Sequence, residues 1–319
     1  MYYKKMTSNS INNPGQEPES ESNSASGHTE GGNEFSGSTK GLSGQVIGGR
    51  YKIEETIKDS RHTSVYKARH LLLDKPVAIK VMFLKLKDNE NMFLRFKREA
   101  KLAAELSHVN ICTMQDYWIS EEGFPFIVTE FISGKRVTDL VKAAGGKLDE
   151  ELAAAIVLQL CAALIHAHRT GIIHRDISPQ NIMIDGGTVK LIDFGMAKSL
   201  YDTDSNLSME NTVYGTPTFM SPEQCMRKEL DHRSDIYSLG CVFYMMLTGL
   251  PPFREQGLID LVRAHISREP PVETEVKDPR LIPILKKMLA KNPDDRYFSA
   301  SKLQSELEAQ GFKAQISRT

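Results

Sequence analysis

Two short loops carry the groups best suited to chemistry in this sequence. "HRDISPQN" (174–181) supplies Asp176 and Asn181, and "LIDFG" (191–195) supplies Asp193, each beside an apolar run that reads as a strand. Upstream, "VAIK" puts Lys80 at the end of an apolar strand, and "FKREA" puts Glu99 on a segment of helical periodicity. A lone lysine or glutamate on an element is usually a solvated charge, whereas the two loop motifs are specific together. Carboxylates can take up a proton or hold a cation, an amide oxygen can hold a cation, and an ammonium holds an anion. Thiol and zinc chemistry are not expected. Cys112, Cys161, Cys225 and Cys241 are scattered, with no C-x-x-C pair and no histidines at zinc-ligand spacing, which predicts free, mostly buried thiols.

In order along the chain, "VAIK", Glu99, "HRDISPQN", "LIDFG" and the "SPE" of residues 221–223 resemble the motif set of protein kinases of the eukaryotic Ser/Thr type. "HRDISPQN" and "GTPTFMSPEQ" are most similar to bacterial members, and the resemblance covers Tyr51 to Gln310. It implies an α+β, two-lobed protein kinase fold, with a small sheet-rich N-lobe and a larger helical C-lobe. It also implies transfer of the γ-phosphate of ATP to Ser or Thr of protein substrates. Such transfer spreads negative charge over the moving group, so cations must be held where that charge lies. Carried over by motif, Lys80 holds the α- and β-phosphates and Glu99 holds Lys80. Asp193 binds Mg2+, Asn181 binds a second metal, and Asp176 orients the attacking hydroxyl and accepts its proton; Mn2+ stands as an alternative metal. Thr129 falls at the gatekeeper position, the backbone of Glu130 and Ile132 meets the adenine edge, and Ile57, Val65 and Ala78 complete the nucleotide-binding set. Asp235 braces the catalytic loop or caps its helix, or does both. Glu223 and Arg296 match a buried ion pair. His174 matches a structural histidine under the catalytic loop, while His166 and His168 read as core or surface residues rather than ligands.

Two departures bear on activity. In "IKDSRHTSVYKA" (57–68), the frame G-x-G-x-x-G-x-V aligned on Val65 puts its glycines at Lys58, Ser60 and Thr63, and none is glycine. Glycine there permits unusual backbone angles and close approach to phosphate, although any residue except proline keeps the amide N–H, and this stretch has no proline. Each misfit costs about 1–2 kcal/mol by analogy with left-handed backbone, for a total loss of roughly 10- to 1,000-fold in ATP use. Ser178 is the second departure, standing where Ser/Thr kinases usually place a lysine that reaches the transferred phosphate. Three functions remain open: an active kinase that autophosphorylates, a pseudokinase serving as a binding or scaffold module, and a small-molecule phosphotransferase. The last is disfavoured because "GTPTFMSPEQ" matches a ledge for peptide substrates, and Thr216 within it matches Ser/Thr rather than Tyr specificity. Arg175 precedes Asp176, an arrangement that in this family often awaits a phosphate on the activation loop, here residues 196–220. Of Thr203, Ser205, Ser208 and Thr212, the expected phosphosites are Ser208 or Thr212, paired with Arg175 and Lys198.

The elements that must position these groups begin at Tyr51. "YKIEET", "TSVYKARH" and "KPVAIKVMFL" read as successive strands, "NMFLRFKREAKLAAEL" as a helix and "GFPFIVTEFI" as a strand again. After Gly134 the chain turns mostly helical, and "EELAAAIVLQLCAALIHAH" is apolar on nearly all sides, as a helix deep in a core would be. The expected division is a disordered tail rich in Ser, Gly, Asn and Glu over 1–48, a kinase domain over 49–311 with lobes meeting near 133 and 134, and a short tail over 312–319. The tail lacks the apolar side chains that would offset the entropy of ordering it. A formal net charge of -1 over 319 residues gives no electrostatic reason to expect nucleic acid or an anionic membrane as partner. "MYYKKMTSNS" is followed by no apolar stretch, so no signal peptide is expected. The run "IYSLGCVFYMML" is shorter than the roughly 20 residues a spanning helix needs. No membrane insertion is therefore expected, the expected location is cytoplasmic, and a dimer is compatible with the sequence without being predicted by it.

Overall fold

Period-two alternation from Tyr51 produces the strands it predicts. The computed structural model describes residues 41–60, 63–83, 90–194 and 217–316. Strands β1 (Val46–Ile47), β2 (Tyr51–Asp59), β3 (Thr63–His70), β4 (Lys75–Met82), β5 (Met114–Ile119) and β6 (Pro125–Glu130) form an antiparallel sheet in the order β1-β2-β3-β4-β6-β5. One face carries Tyr51, Ile53, Tyr66, Ala68, Val77, Ile79, Val81, Phe126 and Val128, which pack together as an outer core. Residues of opposite parity, among them Ala78 and Lys80, take the other face. There helix α1 (Glu90–Ala104) lays Phe93, Phe96 and Ala100 against Met82 and Ile127.

The larger part is helical. It comprises α2 (Val137–Ala143), α3 (Glu150–Arg169), α4 (Pro222–Cys225), α5 (Arg233–Thr248), α6 (Leu258–Ser267), α7 (Val272–Glu275), α8 (Leu281–Met288) and α9 (Ala300–Ala309). A small antiparallel sheet of β7 (Lys135–Arg136), β8 (Ile182–Asp185) and β9 (Thr188–Leu191) completes it. Helix α3 starts at Asp149, whose carboxylate accepts the Leu152 N–H at 2.8 Å. By length and composition α3 could cross a membrane, but 61% of its apolar window is buried inside the protein. It is the centre of a core that also takes in α5, α8 and α9.

Two strips of chain tie the lobes. The Leu191 N–H donates to Asn110 O at 2.9 Å and the Cys112 N–H to Leu191 O at 2.9 Å, so Leu106 and Ile111 belong to the helical core. Gly134, just after β6, runs against β8 so closely that a Cβ there would lie 2.0 Å from the Ile184 carbonyl oxygen.

Both ends of the domain extend further than the sequence indicates. Residues 41–48 belong to the sheet rather than to a disordered tail: β1 pairs with β2, the Gly44 N–H donates to Ile53 O at 2.9 Å, and Ile47 is buried. Gly48, at φ +56° with a virtual Cβ 2.9 Å from the Phe126 ring, makes the tight turn into β2. At the other end Phe312 is 2% exposed under the Arg280 guanidinium, and Gln159 Nε2 donates to Ala314 O at 2.9 Å. Residues 312–316 are therefore packed chain rather than a free tail.

The helical lobe also buries an imidazole. His265 on α6 lies 3.1 Å from the Tyr237 hydroxyl and edge-on to Phe253, and its carbonyl accepts from the Lys291 ammonium at 3.0 Å. Burial, with the Lys291 charge adding to it, pushes its pKa down to about 4. Its stabilisation is complete above the unfolded value near 6.5 and is lost as pH falls from there towards 4. We expect the urea midpoint to drop between pH 7 and 4.5, by the equivalent of about 2 kcal/mol for this group alone. A His265→Gln variant should lose less over the same interval; equal losses would exclude His265 as the source.

Candidate active site

The loop after α3 is fixed from below by one buried carboxylate. Asp235 in the first turn of α5 is 1% exposed; its Oδ2 accepts the His174 N–H at 2.9 Å and its Oδ1 the Arg175 N–H at 2.9 Å. His168, from the last turn of α3, donates from Nε2 to the same Oδ2 at 2.8 Å. Burial alone would raise this carboxyl, but the His168 contact and the loop amides outweigh it and hold it below the usual range. Asp235 is thus a brace and not a cap: the N-cap position is His232, which makes no side-chain cap bond.

His174 does the next layer of positioning. Its Nε2 donates to Ile192 O at 2.9 Å, its Nδ1 accepts the Asp176 N–H at 3.2 Å, and its ring meets Phe194 edge-on at 4.6 Å. One imidazole therefore links the two loops that carry the carboxylates. Arg175 at φ +68° and Asp193 at φ +60° both occupy left-handed backbone, an unfavourable state for side chains of this kind that the surrounding bonds sustain. Gln224, at the start of α4, helps by donating from Nε2 to Arg175 O at 2.7 Å.

Asp176, Asn181 and Asp193 meet above this support. Asn181 Nδ2 donates to Asp176 O at 2.9 Å and to Asp176 Oδ2 at 2.8 Å. Burial raises the Asp176 carboxyl above the ordinary range and the neighbouring Asp193 charge adds to this, while His174 foremost, then the Asn181 bond and last the positive charge of Lys58 oppose it. Neither the Asp193 carboxylate nor the Asn181 amide oxygen makes a hydrogen bond or ion pair with another described residue. Two such hard oxygen donors suit a divalent cation that takes its remaining ligands from phosphates and water. Among the described residues no group of three or more His, Cys, Asp or Glu could hold a metal by itself.

The small lobe supplies the opposite wall. Lys80 and Ala78 stand on the α1-facing side of β4, paired with Ile127 and Thr129 of β6. Glu99 lies on α1, but its side chain falls outside the described residues. At the end of β6 the Glu130 N–H donates to Thr113 O at 2.9 Å, and among the described residues the Cys112 thiol makes a long contact to Glu130 O, at 3.8 Å. The Ile132 N–H donates to no described residue. An open carbonyl and an open amide two residues apart fit the edge of a purine ring. Cys112 itself is unreactive, its thiol pushed up to about 12 by burial.

The glycine-free stretch closes as a hairpin, with the Ser60 N–H donating to Thr63 O at 3.0 Å and Ser64 Oγ donating to Asp59. A bulge between Thr56 and Lys58 leaves Ile57 out of register and 40% exposed, and Lys58 then pairs with Val65. Ser208, Thr212, Thr216 and Lys198 lie outside the described residues. Arg175, their expected partner, makes no ion pair with a described residue.

Sequence reasoning missed His168, Gln224 and the direction of Lys58. The first is separated by 67 positions from the carboxylate it holds. Gln224 had a signal, since "SPEQ" forms a capping box with Ser221 and so fixes where the amide points.

Comparisons with known proteins agree with this geometry. The family described as the protein kinase domain matches residues 51–307. The serine/threonine-protein kinase pkn3 of Myxococcus xanthus is 37% identical over 278 residues, 83% of this chain and 51% of that protein. PknB of Mycolicibacterium smegmatis is 38% identical over 270 residues, 82% of this chain and 43% of its own. The chain thus spans about half the length of these curated relatives. Among solved structures, the Mycobacterium tuberculosis PknI kinase domain superposes with a TM-score of 0.67 at 25% identity, covering 84% of this chain and 98% of that one.

Proposed function

Since the chain belongs to the protein kinase family, we propose that it transfers the γ-phosphate of Mg2+-bound ATP to serine or threonine hydroxyls of proteins, itself among them. The carrying observation is the Asp176, Asn181 and Asp193 constellation, held from three directions by Asp235, His174 and Gln224. Family members use ATP and a divalent metal, and here an amide oxygen and a carboxylate form a donor pair that suits magnesium. When bound, the metal neutralises charge on the phosphates.

The chain's own residues do the rest. The open Glu130 carbonyl and Ile132 amide set the adenine edge. Lys80, in the centre of the sheet, presents an ammonium to the phosphates. Asp176 takes a hydrogen bond from the acceptor hydroxyl and aligns its oxygen with the γ-phosphorus. As the new O–P bond forms, the bond to the β-phosphate oxygen breaks and ADP departs, and the hydroxyl proton passes to Asp176. The carboxyl's raised proton affinity suits that role.

The test is intact mass of dephosphorylated protein after incubation with Mg-ATP or Mn-ATP, beside an Asp193→Asn control. We expect phosphate on the parent alone, with mapping by fragmentation testing Ser208 and Thr212. Absence of transfer to itself and to a generic protein substrate under both metals would reject the enzyme reading. If ATP then also failed to raise the melting temperature, a nucleotide-independent binding module would take its place.

A further inference from the structure

The position of the first absent glycine is occupied by a cation that faces the site. Lys58 pairs with Val65, Val65 with Lys80 and Lys80 with Ile127, one row across four strands. Residues directly opposed in antiparallel strands share a face. Ile127 packs against α1, while the alternate residues Tyr66, Ile79 and Val128 fill the outer core. Lys58 therefore lies on the Lys80 side of the sheet, two strands nearer its edge. The side chain is exposed and makes no hydrogen bond or ion pair with a described residue. Its charge nevertheless acts on Asp176, although the two belong to different lobes and are far apart in sequence.

The large lobe has a complementary deficit. Ser178, two residues after Asp176, brings a neutral hydroxyl to the catalytic loop. The moving phosphoryl group gathers negative charge beside two carboxylates, Asp176 and Asp193, so a cation on its open side has much to stabilise. Two register shifts in β2, at Glu54 and at Ile57, offset one another, so Lys58 keeps the parity that alternation from Tyr51 and Ile53 gives it, on the face opposite the outer core.

We propose that Lys58 is a phosphate-binding residue: carried on the glycine-free hairpin, its ammonium contacts the terminal phosphate of bound ATP and supplies from the small lobe the cation that Ser178 does not supply from the large. The inference rests on the kinase reading above. A side-chain contact of this kind offsets the poorer backbone approach that a hairpin without glycine allows.

The experiment measures binding apart from turnover. Calorimetry with the β,γ-imido analogue of ATP, ADP and adenosine, each with Mg2+, is run on the parent, Lys58→Met and Lys58→Arg, alongside steady-state phosphotransfer. Lys58→Met should bind the triphosphate analogue about 10- to 100-fold more weakly, as expected for a lost charge-assisted hydrogen bond. Adenosine binding should be unchanged and ADP affected less than the analogue. Lys58→Arg should keep most of the affinity, and adding Ser178→Lys to Lys58→Met should restore phosphotransfer in part. Because Lys58 is exposed, unchanged urea midpoints are expected and would exclude misfolding as the cause. A parent that binds the analogue and turns over, with Lys58→Met equal to it within twofold, overturns this inference alone. Equal weakening for all three ligands overturns it too, as a structural effect of the hairpin. A parent that binds no nucleotide overturns it together with the kinase reading.

Discussion

Asp176→Asn should fold as the parent does and lose phosphotransfer by about 100- to 10,000-fold, the usual worth of a positioned general base. The substitution is nearly isosteric, and its new amide oxygen can still accept from Asn181 Nδ2, which the carboxylate now does at 2.8 Å. What disappears is the oxygen able to receive the hydroxyl proton. The same change should leave thermal stability equal or higher. Burial opposes the charged form of Asp176 and Asp193 repels it, so at neutral pH this carboxylate works against the fold it serves. Radiolabel transfer and a melting curve on the same preparation check both halves. Activity within tenfold of the parent would remove Asp176 from the chemistry; a melting temperature lowered by several degrees would show instead that its charge holds the loop.

Arg296→Met should strongly destabilise the helical lobe. The Arg296 side chain is 0% exposed and that of Glu223 6%, joined at 2.7 and 2.8 Å in a two-pronged contact. Arg296 also donates to the carbonyls of Ala290, Lys291 and Arg233, and its guanidinium lies 4.9 Å from the centre of the Tyr237 ring. Removing one partner of such a pair strands the other as a buried charge, at about 3–5 kcal/mol, which lowers Tm by roughly 10 °C in a domain of this size. Glu223→Leu combined with Arg296→Met should recover only part of this, because the three carbonyls still lose their donor. Full recovery would show that the ion pair alone sets the cost. Burial raises the Glu223 carboxyl, but Arg296 and Ser234, the latter donating at 2.6 Å, outweigh it and hold the group below its usual range. Its stabilisation is therefore present at neutral pH and fades as acid protonates it below about pH 4.5.

Much of this site was legible in the sequence because its chemistry is local. Asp176 and Asn181 lie within one loop motif and Asp193 within another, and the apolar runs around them fix their place on strands. The α+β, two-lobed organisation followed from the change from period-two alternation to helical periodicity after Gly134. The failures share a different cause. Val46 and Ile47 make a two-residue strand, too short to alternate, and only pairing with β2 reveals it. Phe312 reads as the start of a tail until Arg280, 32 positions away, is seen over its ring. His168 and Asp235 could not be joined from periodicity, since both lie on helices whose mutual rotation only packing decides. Lys58 stands at a glycine position of the motif, and its place opposite Val65 is set by two offsetting register shifts in β2, at Glu54 and Ile57, that no pattern of apolar positions marks.

The two strips between the lobes also determine how the molecule can open. Cys112 is moored to Leu191, and Gly134 is pressed against Ile184, so the chain leaves the helical lobe at two anchored points. A body tethered at two points swings about the line through them, like a door on paired pins, and sliding and free swivelling are suppressed. Met114 and Thr129, paired with each other beside that line, travel little as the door swings. The β2–β3 hairpin at Ser60, separated from β6 by β3 and β4, moves further for the same rotation. Recognition of the base and grip on the phosphates are thereby given different leverage: the first is set before closure, and the second changes steeply with a few degrees of angle.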